Sequence, residues 1–269
     1  MSTTIDIILK KKLKNPVLIA GLPGIGLVGK IAVDYLVSEL KPKPILLAKV
    51  YSDSFPPAVH AKNSVLEIIH DELYVYSSKK RDYLFLVGPV QPALGNVPNS
   101  QDHYEFSESI AAFAKKSGIK EIYTFAGLNI GDQRMKTKPR VACVTSDEKT
   151  RTDLEKKKLT NIYFDKNNKD TLISGVAGLL PGIAYKNYKI SGVCLMGETD
   201  SKLTYGDPAS AKEILEITLK LFSELKLDLK SILDSAKKIE ESFSKISKDI
   251  AKMNQSPKED LSLRNNYIR

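Results

Sequence analysis

Apolar residues in this chain follow two periods, and the change between them is clearest near the N-terminus. Val17–Ala20, VLIA, is an uninterrupted apolar run with β-branched residues, the pattern of a strand covered on both faces. Gly21, Gly24, Gly26 and Gly29 follow, and Val28, Ala32, Tyr35, Leu36 and Glu39 then recur at helical spacing. The stretch Lys14–Glu39 thus predicts strand, glycine loop and helix, the first unit of a mainly parallel α/β sheet flanked by helices.

The same alternation of short apolar runs and helical periods continues. Strands are predicted over Thr4–Leu9, Ile45–Tyr51, Asp82–Val87, Glu121–Ala126, Arg140–Thr145 and Ser191–Gly197. Val65–Ile69 and Leu73–Ser77 suggest an antiparallel pair turning at His70-Asp71-Glu72, and Gly127–Gly131 reads as a turn. Asp102–Lys116 has helical spacing with Gly118 as its closing residue, and Thr150–Lys158 is a short charged helix. Ser174–Ala184 resembles a second glycine-containing helix start, and Asp207 followed by Pro208 forms an N-cap and first helical position.

Near the C-terminus the pattern changes again. Leu229, Ile232, Ala236, Ile239, Phe243, Ile246, Ile250 and Met253 alternate spacings of three and four. This seam over 229–253 predicts a coiled-coil-like extension in which Ile232, Ile239, Phe243, Ile246 and Ile250 dock a second subunit or another helix. Packing along its own domain is the other reading. Residues 254–269 are polar and aperiodic, hence a flexible tail. The expected organisation is an α/β core over 1–206, C-terminal helices over 207–253, and the tail.

The glycine loop admits three readings. Gly24-Ile25-Gly26-Leu27-Val28-Gly29 matches G-x-G-x-x-G in strand-to-helix context, a dinucleotide fingerprint. With Lys30 it approaches a phosphate-cradling P-loop, but Ile31 stands where a Mg²⁺-binding hydroxyl is needed. Gly24, Gly26, Gly29 and Lys30 are therefore the candidate ligand-binding residues. The place of an acidic ribose partner falls at Lys49 and Val50, with Asp53 the nearest carboxylate. In the third reading the glycines only permit a sharp turn and close helix–strand packing.

Composition narrows the partners. The chain has 269 residues, 42% of them hydrophobic, and no apolar stretch long enough to span a membrane. Met1-Ser2-Thr3-Thr4 lacks the apolar run of a signal peptide. Cys143 and Cys194 lie in apolar runs and read as buried thiols of a reducing compartment, so the cytoplasm is expected. Net charge is +9, but the lysines are interleaved with acids along helices. Lys10–Lys12 and Lys156–Lys158 lack aromatic neighbours, so nucleic acid is not the expected partner, while an acidic protein remains compatible.

Candidate chemistry is sparse. His60, His70 and His103 do not share a metal-ligand spacing, and no G-x-S-x-G elbow occurs. Asp102, His103 and Glu105 follow the Pro89–Ser100 loop and could face a crevice beside Glu198, although a solvated helix start explains them equally. No catalytic set, metal site or cofactor is assigned.

Four segments carry a family resemblance: GLPGIGLVGKIAVDYL at Gly21–Leu36, SGVAGLLPGIA at Ser174–Ala184, GVCLMGET at Gly192–Thr199, and YGDPASAKEIL at Tyr205–Leu215. In order and spacing the set resembles the family of the second proteasome assembly chaperone. That resemblance implies an α/β fold akin to nucleoside phosphorylases without their catalytic residues, homo- or hetero-oligomers, and for some members binding to proteasome α-subunits. It also implies docking through a C-terminal hydrophobic–Tyr–any motif. Here the chain ends Asn266-Tyr267-Ile268-Arg269, with the tyrosine one place early, which makes Tyr267, Ile268 and the terminal Arg269 the candidate partner-binding residues. The expected function is a non-enzymatic oligomeric assembly chaperone or adaptor. A nucleotide- or nucleoside-binding enzyme using the Gly21–Lys30 loop is the reading from a different class.

Overall fold

A computed structural model describes residues 3–92, 100–164, 172–203, 206–235, 238 and 241. The strands and helices are, in order, β1 (Thr3–Ile7), β2 (Val17–Ala20), α1 (Val28–Glu39), β3 (Ile45–Ser52), β4 (Val59–Lys62), β5 (Val65–Ile68), β6 (Asp71–Ser77) and β7 (Asp82–Val87). Then follow α2 (Ser100–Lys116), β8 (Glu121–Asn129), β9 (Val141–Thr145), α3 (Glu148–Lys156), β10 (Ile162–Tyr163), α4 (Val176–Tyr188), β11 (Ser191–Thr199) and α5 (Pro208–Leu221).

Among the described residues nine strands form one sheet in the order β1-β3-β6-β7-β2-β8-β11-β9-β10, and β4 pairs only with β5. The centre, β7-β2-β8-β11, is parallel. Antiparallel strands extend it through β6, β3 and β1 on one side and β9 on the other, so the sheet is mixed. Side chains of β2 explain why its run is wholly apolar. Val17 and Ile19 enter the core shared with α1 and α5, whereas Leu18 and Ala20 enter the core shared with α2 and α4. Tyr83 and Phe85 of β7 follow the first face, Leu84 and Leu86 the second.

Two expected local features are replaced. β5 does not pair with β6; it pairs with β4, and β6 lies between β3 and β7. The turn is Asn63-Ser64, both at positive φ (50° and 63°), as a two-residue hairpin loop between right-twisted strands requires. Asp71 begins β6 and is not part of a turn. The second replacement is at Gly127, where β8 continues to Asn129. A Cβ on Gly127 would collide with the Ile25 carbonyl, so this glycine serves close approach.

Caps fall where the sequence places them. Asp207 accepts from the Ser210 N–H at 3.0 Å with Pro208 behind it, and Gly118 closes α2 at φ 75°. Beyond α5, Phe222, Leu225 and Ile232 are buried in the α1–α5 core, with Leu229 packed against it. The Tyr35 hydroxyl donates to the Asp228 carbonyl at 2.6 Å and lies 2.8 Å from the Ser231 hydroxyl. Leu229 and Ile232, the first positions of the predicted seam, therefore pack on the chain's own body. Ile239, Phe243, Ile246, Ile250, Tyr267, Ile268 and Arg269 lie outside the described residues. Among the described residues no helix is long and apolar enough to cross a membrane.

Candidate functional site

The loop between β2 and α1 runs along the C-terminal ends of the parallel strands, where open α/β sheets form their crevices. Its glycines have different roles. Gly29 sits against the Phe125 carbonyl of β8, and a Cβ there would overlap backbone. Gly26 is at φ 59° and faces the Thr199 side chain at the end of β11. Gly24 is extended, with open space where a Cβ would stand. It borders a cavity of about 680 Å³ whose walls also include Ile25, His103, Thr124, Asn129 and Ser174.

Lys30 does not extend along the loop. The residue is buried (8% exposed), and its ammonium donates to Asp34 at 2.7 Å and to the Gly88 carbonyl at 3.0 Å. Asp71, fully buried at the start of β6, completes this group: a Cβ on Gly88 would collide with its carboxylate. Among the described residues no side chain donates a hydrogen bond to Asp71. Burial pushes its carboxyl well above the ordinary value, while the Lys30 charge and the Val90 N–H pull less strongly the other way. Asp34 is also raised, burial outweighing Lys30.

A second polar group rivets the far side of the loop. Thr199 donates to Asp207 at 2.9 Å, its carbonyl accepts from Ile130 N–H at 2.9 Å, and Asp207 N–H reaches the Gly26 carbonyl at 2.8 Å. Arg134, on a short 3-10 turn after β8, grips both Asp207 oxygens at 2.6 and 2.8 Å. The fork geometry of that guanidinium holds the N-terminus of α5 against the loop.

The acid and histidine candidates do not converge. His103 lines the cavity; burial lowers its pKa more than Asp102 raises it, so the imidazole is neutral near pH 7. Glu105 accepts from the Thr3 N–H at 2.7 Å and the Thr3 hydroxyl at 2.6 Å, clamping β1. Glu198 is turned to Arg140, whose guanidinium reaches it at 2.9 Å and whose N–H reaches it at 2.9 Å. Burial would raise the Glu198 carboxyl, but these hydrogen bonds and the arginine charge together hold it below its ordinary value. Cys143 and Cys194 are free and buried, and burial pushes the Cys194 thiol up to about 11. Among the described residues no cluster suited to a metal ion occurs.

Sequence reasoning missed Asp71, Thr199 and Arg134. Asp34 stands four residues after Lys30, so their ion pair was readable as a helical neighbour contact. Thr199 and Arg134 meet Gly26 and Asp207 only through tertiary folding, and no local pattern announces them.

These features define a class: an α/β domain with helices on both faces of a mixed sheet and a strand–glycine loop–helix unit at its centre. The chain belongs to the PAC2 family, whose model matches residues 18–247. An uncharacterized protein of Methanocaldococcus jannaschii is 33% identical over 240 residues, covering 88% of this chain and 84% of the relative. PbaB of Pyrococcus furiosus, an archaeal proteasome activator, is 30% identical with a TM-score of 0.77, over 91% of this chain and 98% of that one. PbaA of the same organism, an archaeal homolog of proteasome-assembly chaperone, shares the fold at a TM-score of 0.68 and 22% identity, over 94% of this chain and all (100%) of that one.

Proposed function

We propose that this protein is a non-enzymatic, oligomeric assembly chaperone or adaptor of the proteasome that contacts α-subunits, in part through Tyr267, Ile268 and Arg269. The observation that carries the reading is the likeness to the proteasome activator PbaB across 98% of that chain. The fold shared with PbaA, an archaeal homolog of proteasome-assembly chaperone, and membership of the PAC2 family support the same reading. The phosphorylase-like likeness and a helical extension holding the tail at a distance from the body belong to the same reading, as does a cytoplasmic location.

The test is capture of proteasome α-subunits by the full chain and by a truncation lacking Leu263–Arg269, with peptide hydrolysis by the assembled particle as readout. Capture and stimulation by the full chain alone would place docking in the tail. Capture by both would move it to the body. Failure of both removes the reading.

The cavity beside Gly24 favours a second reading, binding of a nucleotide or nucleoside at the Gly21–Lys30 loop. Lys30 is already engaged by Asp34 and Gly88, so such a ligand would be held by backbone rather than by that ammonium. A thermal-shift series with nucleosides and nucleotides tests it, because a ligand of the native state must raise the melting temperature.

A further inference from the structure

Among the described residues the large sheet ends at β1 on one side and at β10 on the other. β10 has two residues, whereas β1 has five and pairs with β3 alone. Two hydrogen bonds fix which backbone groups of β1 face outward. Ile8 N–H reaches the Leu47 carbonyl at 2.9 Å, so Thr4 and Asp6, of the same parity, also turn their backbone groups toward β3. Thr3 N–H points the other way and meets the Glu105 carboxylate at 2.7 Å. Ile5 and Ile7 share its parity, and each presents an N–H and a C=O along the open edge. Lysine, proline or a bulge ordinarily blunts such an edge, but β1 reads TTIDI and keeps an unbroken register.

Where β1 ends, a groove of about 440 Å³ opens between Ile7, Leu9, Leu13 and Phe113, with Lys10 and Lys12 on its rim. Ile7 is 47% exposed there. Lys11 is held by Asp82 at 3.0 Å, while Lys10 and Lys12 are exposed and, among the described residues, in no ion pair. Asp6 lies on the opposite face of β1 from Ile7. We propose that β1 accepts an extra antiparallel strand from a partner protein, a segment of acidic residues followed by apolar residues at alternate positions. The open N–H and C=O groups require an extended chain, and the groove takes its apolar side chains. Antiparallel pairing, slightly the more stable per residue, brings the partner's N-terminal end to Lys10 and Lys12, so its acids come first. The same lysines, on a chain of net charge +9, repel a second copy and attract an acidic strand.

This strand site does not rest on the proteasome reading, and its test contains no proteasome. The probe is a labelled, end-blocked peptide of two glutamates followed by alternating valine and threonine, titrated with the full chain by fluorescence anisotropy. Binding should saturate, weaken with added salt, and slow hydrogen exchange at the Ile5 and Ile7 amides. Residues hydrogen-bonded opposite Ile5 and Ile7 share their groove-side face, so the valine amides point at β1. N-methylation of the valines should therefore abolish binding, and N-methylation of the threonines should not. Ile7→Pro removes an outward donor, leaves the β3 ladder intact and should weaken binding about tenfold with an unchanged circular dichroism spectrum. Lys10→Glu and Lys12→Glu should each weaken it about threefold, whereas Lys157→Glu, the same charge change at the end of α3, should not. Absence of saturable binding, equal binding of the two N-methylated peptides, or indifference to Lys10→Glu and Lys12→Glu overturns the proposal. Protection of the Ile5 and Ile7 amides that rises with protein concentration, without peptide, would give the edge to a second copy and equally overturn it.

Discussion

The unit β2–loop–α1 and the β4–β5 hairpin are both short, apolar and glycine- or turn-punctuated, yet they relate oppositely to solvent. In the first, every side chain of β2 is buried and the loop is pressed between β8 and β11. In the second, an apolar face is left outside and polar groups face the body. The difference teaches that an apolar pattern marks a face without ensuring that the chain's own fold covers it. At the sheet centre the cover is intramolecular, so substitutions there act on folding. At the hairpin, where the apolar face is exposed, they should act on folding far less.

The contrast breaks most visibly at Gly29. A Cβ there meets backbone that cannot rotate away, so Gly29→Ala should cost ~3 kcal/mol or more, or prevent folding. Urea unfolding measures this, and a near-neutral result would mean that α1 can shift off β8. Next comes Asp207→Ala, which removes the α5 cap, the Thr199 bond and the Arg134 fork together; a loss of about 3 kcal/mol is expected. Arg134→Ala should reproduce most of it, and additivity of the two in a double mutant would argue against a shared rivet.

A smaller effect depends on pH. Because the Asp71 carboxyl is raised by burial, the folded state holds that proton more tightly than the unfolded chain. Its contribution is complete below the unfolded carboxylate pKa and is lost as pH rises through the folded one. Asp71→Asn should therefore raise the melting temperature at pH 8 and lose that advantage as pH falls toward 4 (about the ordinary carboxylate value). Equal shifts at both ends of the titration would show that the amide acts only through packing. The smallest change is expected at the hairpin: Leu66→Glu should alter stability of the dilute protein by no more than about 0.5 kcal/mol.

What could be read in advance divides along the same line. Val17–Ala20, the α1 periodicity and the Asp207-Pro208 cap carry their instructions locally, and each forms as read. Gly127 looked like a turn because glycine signals both a bend and a close approach, and only the Ile25 carbonyl across the gap distinguishes them. Val59–Lys62 escaped notice since four residues after Pro56-Pro57 carry little periodic signal, and so the partner of β5 was misassigned. Lys30 resembled a phosphate ligand until Gly88, distant in sequence, was placed beside it. The candidate site was legible as a loop, but its electrostatics were not, because Asp71, Arg134 and Thr199 reach it only through the sheet order.

Thr199 has a consequence for how the chain is made. It closes the glycine loop at Gly26 and anchors Asp207, yet it is the last residue of β11, which lies between β8 and β9. On the ribosome, β2, β7 and β8 emerge long before it, and β8 then offers a bare hydrogen-bonding edge. Until β11 arrives, that edge is a template for any passing strand, and β9 has no place in the sheet centre to join. The most recognisable motif in the sequence is thus among the last to be completed during synthesis.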